Sequence, residues 1–514
     1  MPASPVSRLK PKIVEGPGQG IIRSVPPRNI PERAWANARN VRFDSLGQRV
    51  RKIDGYTQYD TTPGNEPVRW LFEYHQTNSD TILVRVGTTK AWRDAGTDRA
   101  EIASGLGGLA TTIVTGTQHA DQLLWTDQIA PIQRWTPDMG SASALSAGIP
   151  LAAIIVSHKA HLVLFDVVDR GIRQPFRATY SEPWDPQAGS PNFISAAAGD
   201  LDFLDEPGGI TAAGLLGESI IVHKRRSLAR MIFVGEPDNY VQEPIPAEDG
   251  ACSRRAIVPV GAFQFYQGHE NYYRLGAFPE PIGDAIWPEV VALMDQSKLS
   301  QVHAYHRPEF TEIHWKVPMV GATQPNLTVI YNYRDQTWTL SDHDPGLCAV
   351  EYPPAADDTW AGGESAAWDS SHDIPWDYPQ FSQGALLGLF GQVNGNIQQY
   401  GGVNADGAAI AWYLESKVFS GATSFQLSDL LNVLVRATGQ GTMLVRHRSW
   451  MDDRQPVPAF AAGAGFPLGS GTKPWVDVRG SGRWHQIRLE GSGLDEDFLL
   501  EAWGPGLIPR KGWR

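Results

Sequence analysis

Ile313-His314-Trp315-Lys316-Val317, Leu327-Thr328-Val329-Ile330-Tyr331 and Thr337-Trp338-Thr339-Leu340 are three short runs rich in β-branched and aromatic residues. Such residues suit a pleated sheet surface, and the gaps between the runs carry Pro, Gly, Asn and Asp, which favour turns. The stretch predicts neighbouring strands joined by tight connections. The same unit recurs upstream. Phe263 to Tyr266 and Tyr272 to Leu275 flank a turn at Gly268–Asn271, and Ser219 to Val222 leads to Leu228–Val234. His161 to Val167 leads to Phe176–Tyr180, Leu123 to Trp125 to Ile132–Trp135, and Ile82 to Val86 to Ala91–Trp92. The units recur roughly every 40–60 residues, the size of a propeller blade. A sandwich or stacked hairpins also give evenly spaced strands, but six comparable units are too many for one sandwich. The predicted fold is all-β, a β-propeller of about six blades. Helical heptads are absent, and only Glu289 to Met294 reads as a short helical turn.

Bulk properties agree. Gly (52) and Pro (38) make up about a sixth of the 514 residues, as suits many short strands joined by turns, and 18 Trp suit half-buried sheet faces. With 42% hydrophobic and 19% charged residues the chain is a folded one. Cys252 and Cys348 are its two cysteines, which excludes a disulfide framework and leans towards assembly in a reducing cytoplasm. Met1 to Gly20 has no apolar core of a signal peptide, and no run approaches 18 apolar residues, so no membrane span is expected.

Three regions follow from the composition. Residues 1–60, with Gly16-Pro17-Gly18 and Pro26-Pro27, predict an extended arm and lead-in strands; they hold 11 Lys and Arg against 5 Asp and Glu. Residues 61–404 predict the propeller, with an insertion near 351–380, and hold 21 basic against 40 acidic residues. In the hairpin of Leu386–Phe390 and Ile397–Tyr400, Asn394-Gly395 sits where a tight turn wants it, and these strands are expected to close the ring. Residues 405–514 alternate apolar and polar residues, clearest in Trp475 to Val478 and His485 to Leu489, and predict a C-terminal β-sandwich-like domain. A body this acidic should not bind nucleic acid along its surface, because phosphate contacts need cations.

Motifs for chemistry are missing. There is no phosphate-binding GxxxxGK[ST], no GxGxxG opening a helix, no GxSxG elbow, and no HExxH or CxxC. The reading therefore assigns no catalytic residue, no cofactor and no metal ligand. His303, His306 and His314 lie close in sequence, but their spacing does not hold them on one face of one strand, where neighbours are two apart. Cys252 and Cys348 read as buried, inert thiols. Asp357-Asp358, Asp452-Asp453 and Asp495-Glu496-Asp497 read as solvated turns. The Asp335 to Trp338 turn occurs once and is shorter than the repeated Asp-to-Trp turn of sialidase-type propellers. Trp360, Trp368 and Trp376 in the insertion suit either sugar stacking or interface anchors, and the second is preferred.

The order of segments resembles the tail nozzle (tail hub) proteins of short-tailed bacteriophages, some described as packaged-DNA stabilisation proteins. The likeness runs through Asn37 to Phe43, Gly47 and Arg51 to Gly55, then Leu215 to Leu228 and Met231 to Gly235. It continues through Gly250 to Cys252, Val258 to Val260, Phe265 to Arg274 and Tyr331 to Thr339. The resemblance implies a virion structural protein of the tail, assembled in the host cytoplasm and not an enzyme. It implies a homo-oligomeric ring, hexameric, below portal-adaptor proteins, contacting tail fibres or spikes and tip proteins. DNA would pass through its channel without sequence-specific binding. An acidic wall would keep DNA from adhering, and the basic arm would dock on an acidic neighbour or adaptor. The alternative reading is a propeller-type glycan-binding or glycan-cleaving protein.

Overall fold

The computed structural model describes residues 12–44, 48–60, 65–76, 81–95, 98–146, 148–185, 189–353, 386–420, 427–451, 456–469 and 474–509. Among these residues, the three runs at 313–340 are the second, third and fourth strands of one antiparallel sheet, Glu312–Val317, Leu327–Asn332 and Thr337–Ser341, with His303–Arg307 as the first. Six further four-stranded sheets share this pattern: 70–103, 115–144, 151–202, 210–245, 257–281 and a last one from 348–400. The fold is all-β and propeller-like, with seven such sheets where the sequence suggests about six blades.

Closure of the ring is visible in its cores. Sheets one and two share a core with Trp70, Leu123 and Trp135, and two and three meet at Leu124, Leu162 and Leu164. Three and four meet at Phe165, Ile220 and Met231, and four and five at Ile221, Leu228 and Tyr266. Five and six share Phe265, Trp315 and Trp338, and six and seven share Tyr305, Phe390 and Tyr400. Seven returns to one through Leu389, Ile397, Val68 and Leu83. Glu312–Val317 and Leu327–Asn332 are buried along their whole length, because both faces of this sheet are covered by neighbours.

The expected final hairpin, Leu387–Gly391 with Ile397–Tyr400, lies in the seventh sheet. Its outermost strand, Tyr56–Gln58, comes from the other end of the chain and pairs antiparallel with Gln398–Tyr400. The ring is thus fastened by an N-terminal strand.

The remaining strands form a sandwich of two six-stranded sheets. One joins Val41–Asp44, Arg49–Lys52, Asp497–Pro509, Ser428–Gln440 and Trp475–Gly482, with Val14–Glu15 at its side. The other joins Asn37–Arg39, Trp412–Glu415, Trp484–Gly491, Thr442–Trp450 and Ala464–Pro467, with Phe419–Ser420. Trp412 against Phe498 and Phe419 against Trp503 fill the space between them, at ring separations of 4.0 and 5.6 Å. Residues 405–514 therefore do not make the domain alone, and 12–60 is no free arm. Its strands are shared between sandwich and ring. Trp35 is buried, stacks on Trp503 at 5.2 Å and donates to the Pro17 carbonyl.

The sandwich core runs without a break into sheets five and six, so the two bodies bury one continuous apolar seam. The predicted helical turn is a helix, Trp287–Leu293, with Pro288 in its first turn, packed through Val290 into that seam. No helix among the described residues is long and apolar enough to cross a membrane. The insertion with Trp360, Trp368 and Trp376, and the pairs Asp357-Asp358 and Asp452-Asp453, lie outside the described residues.

Candidate functional site

Glu312, His314 and Lys316 alternate with apolar residues, so they share one face of their strand. That face turns inward, and all three side chains are buried. Glu312 accepts from Arg42 of the sandwich at 2.8 and 3.2 Å. His314 contacts Glu312 at 2.9 Å through Nε2 and the Tyr305 hydroxyl at 2.9 Å through Nδ1. The Tyr305 hydroxyl donates to that of Tyr400 (2.6 Å), which donates to Asp344 (2.6 Å). Lys316 closes the line, donating to the Asp344 carboxylate at 2.8 Å and to its carbonyl. One chain of polar contacts thus runs from the sandwich through sheet six into sheet seven.

Charge is balanced along it. Burial would raise Glu312, but Arg42 and His314 overcome that and hold it at about 2. Burial opposes the Asp344 charge too, and Lys316 with His343 holds that carboxyl well below the usual range. Burial pushes His314 down to about 4, against the pull of the Glu312 carboxylate. Phe310 lies under three guanidiniums, with Arg42 at 3.7 Å, Arg307 at 4.7 Å and Arg51 at 5.1 Å from the ring centre. Such contacts favour cations over the ring face. Burial drives Glu351 up to about 7, an effect that Arg307, 3.6 Å away, only partly offsets. The arrangement holds two bodies together; every group in the line is occupied by another. Replacing Tyr400 by phenylalanine cuts the link to Asp344 and is expected to lower stability by about 2 kcal/mol in urea unfolding.

The histidines considered from the sequence go to different partners. His306 is half-buried and meets the Tyr333 hydroxyl at 3.1 Å, His314 belongs to the network above, and His303 is buried beside Arg255. No group of three metal-binding side chains comes together among the described residues. Cys252 and Cys348 are both buried and free; burial pushes the Cys348 thiol up to about 11 and Cys252 higher. Asp335 sits in a turn whose backbone is held by Asn332, and Trp338 is buried with its Nε1 donating to the Ile282 carbonyl. Of the acidic run at 495–497, Asp495 and Asp497 are exposed. Glu496 is buried and accepts from Trp412 Nε1 and from the backbone amides of Thr442 and Gly493.

Among the described residues, several basic residues of the N-terminal segment are engaged within the chain. Arg23 pairs with Glu289 at 2.5 Å, Arg49 with Glu501 at 3.2 Å, and Arg42 with Glu312 and Asp54.

At the ring axis, the first strands of consecutive sheets adjoin one another. Residues just before these strands meet at one end. Arg255 reaches across to the carbonyls of Arg69 (2.8 Å) and Leu347 (2.9 Å), ahead of sheets one and seven. Arg254 reaches Gln128 at 2.7 Å and Asp166 at 3.6 Å. Asp166 is aimed there by a bulge in its strand and also holds Arg173 in a two-point contact. Side chains just ahead of the fifth sheet thus tie together sheets one, two, three and seven.

No protein-family model matches the chain, and no curated protein matches it. Among solved structures, the computationally designed protein Ika8 aligns over 68% of this chain and 99% of its own at 7% identity, with a TM-score of 0.38. The extracellular domain of a hybrid two-component system protein from B. thetaiotaomicron aligns over 68% of this chain at 8% identity and a TM-score of 0.43. This chain spans only 40% of that domain. The Pan2 WD40 domain of Neurospora crassa aligns over 68% of this chain and 95% of its own, at 7% identity and a TM-score of 0.39. The fold assignment rests on the seven sheets and their shared cores.

Proposed function

We propose that the chain is a structural subunit of a short-tailed bacteriophage tail, forming the ring-shaped nozzle through which DNA is retained and then ejected. The observation that carries the reading is the order of segments from Asn37–Phe43 through Leu215–Leu228 to Tyr331–Thr339, which resembles that of the nozzle proteins. The ring is a homo-oligomer, a hexamer by the same resemblance, with portal-adaptor proteins above and fibres or spikes and tip proteins around it. Two features of the geometry support a wall-building role. The N-terminal strands stitch the sandwich to the propeller, and a buried ionic line crosses the seam, which suits a subunit that transmits load as one piece. Arg255 ties across the axis of the single propeller, which supports a reading in which DNA would pass between subunits.

Light scattering and negative-stain microscopy of the purified chain test this reading, together with immunogold labelling of virions. Rings, and label at the tail tip, are the expected result. A strictly monomeric protein found in no virion, or one that retains or cleaves glycans, would overturn it.

A further inference from the structure

The two ends of the propeller carry different chemistry. Strands within each sheet run antiparallel, so second-to-third connections and the links from one sheet to the next share one end. Over sheets one to four, that end presents Leu109 and Leu204 on links between sheets, and Ile129 and Ile172 at second-to-third connections. They are 72%, 70%, 57% and 67% exposed. A Cβ placed on Gly107 would meet Ile129 at 3.5 Å, so the Leu109 link lies against Ile129. Single exposed aliphatic residues are ordinary, but four along one arc mark a docking surface.

Arginines frame this arc. Arg170, beside Ile172, has 89% of its side chain exposed and its carboxylate neighbour Asp169 only at 4.0 Å. Arg225 and Arg226, on the turn of sheet four, are exposed and form no ion pair among the described residues. Nearby carboxylates are engaged: Asp205 with Lys224, Asp166 with Arg173 and Arg254, and Glu206 with the Arg226 amide. Glu248, exposed on the next link, offsets one of these charges.

The chain holds a matching segment. Residues 354–385 contain Trp360, Trp368 and Trp376, with Asp357, Asp358, Glu364, Asp369, Asp373 and Asp377 and no Lys or Arg. They join the first strand of sheet seven, which ends at Tyr352, to its second, which starts at Leu387. A first-to-second connection leaves from the end opposite the arc. Sheet seven also borders sheets six and one, half a ring away from three and four. Within one subunit the segment would have to wrap round the ring, whereas in a second copy it can meet the arc directly. Such a contact is head to tail, the kind that closes a ring of identical subunits.

We propose that residues 354–385 of one subunit dock on the arc from Leu109 to Arg226 of the next. The tryptophans cover the aliphatic side chains, and the carboxylates face Arg170, Arg225 and Arg226. Aliphatic seats set in an acidic body suit an aromatic, acidic segment better than nucleic acid, whose phosphates need cations throughout. The inference rests on the nozzle reading for the ring itself.

Two full-length variants test it. One replaces the arc (Leu204→Asp, Arg225→Glu, Arg226→Glu), and the other the segment (Trp360→Ala, Trp368→Ala, Trp376→Ala). By light scattering the wild type should form rings and each variant alone should be monomeric, with unchanged far-ultraviolet dichroism. Mixed together, the variants should pair one to one and stop, because each keeps one working half. A synthetic peptide of residues 354–385 should bind the arc variant roughly tenfold or more weakly than the segment variant. Rings that persist in both variants overturn the docking and leave the nozzle reading standing. A monomeric wild type that binds the peptide through the arc overturns the nozzle reading and supports the docking. Peptide that binds neither protein, or both variants alike, overturns the docking, as does an arc that takes up DNA or anionic lipid vesicles instead of the peptide.

Discussion

Replacing Arg42 by alanine is expected to lower stability by about 3–5 kcal/mol, because it leaves Glu312 buried without its main counter-charge. Both side chains are almost fully buried, at 3% and 2% exposure, so water cannot take the place of the guanidinium. The loss should have a second signature. Arg42 lies on a sandwich strand and Glu312 on sheet six, so the pair spans the seam between the bodies. In urea, the wild type should unfold in one transition by tryptophan fluorescence and by far-ultraviolet dichroism. The variant should separate the two signals as sandwich and propeller uncouple. The double variant Arg42→Met, Glu312→Gln removes both charges and should recover most of the loss, as paired removal of a buried ion pair usually does. Coincident transitions with an unshifted midpoint in the single variant would show that the pair does not couple the bodies.

How legible this was in the sequence depends on the distance between partners. Phe263–Gln267 and Tyr272–Leu275 pair across a short turn, and local alternation and turn residues were enough to find them. The helix at Trp287–Leu293 and the hairpin at Leu387–Tyr400 are local in the same way. Val41–Asp44 and Arg49–Lys52 read only as lead-in strands because their sheet is built on Asp497–Pro509, more than 440 residues away. Tyr56–Gln58 is three residues long and has no pattern of its own; its place is set by the open edge of Ile397–Tyr400. That strand supplies the fourth strand of the last four-stranded sheet. The ionic line was missed for another reason. Attention to the histidines singled out His314 and passed over Glu312 and Lys316, although the alternation from Glu312 to Lys316 marks one polar face. What the sequence does not show is that Arg42, far upstream, turns that face into an interior one. Because acidic partners such as Glu312 and Glu289 lie hundreds of residues downstream, the basic charge of residues 1–60 looks available in the sequence although much of it is engaged.

Acid should weaken the protein in two stages, and one glutamate should soften the first. Burial holds His223 and His314 each at about 4, against an ordinary value of 6.5. Between pH 6.5 and 4 the unfolded chain binds protons that the folded one refuses, so stability falls as pH falls. Each shift corresponds to about 3 kcal/mol. Glu351 acts the other way. Its folded value of about 7 lies above the ordinary 4.5, so folding gains about 3 kcal/mol as pH falls from 7 to 4.5. The net decline down to pH 4.5 is therefore shallow for these three groups. Below 4.5 the sign is uniform. Glu312, held at about 2, loses its advantage as it is protonated, on the order of 3 kcal/mol, and Asp344 adds to the loss. Urea unfolding from pH 8 to 3 should show the break near 4.5 in the wild type. Glu351→Gln separates the terms: it removes the gain on acidification, so its stability should fall more steeply from pH 7 to 4.5 and then run parallel to the wild type. Curves parallel over the whole range would mean that Glu351 is not protonated near neutrality in the folded chain, and that Arg307 holds it charged.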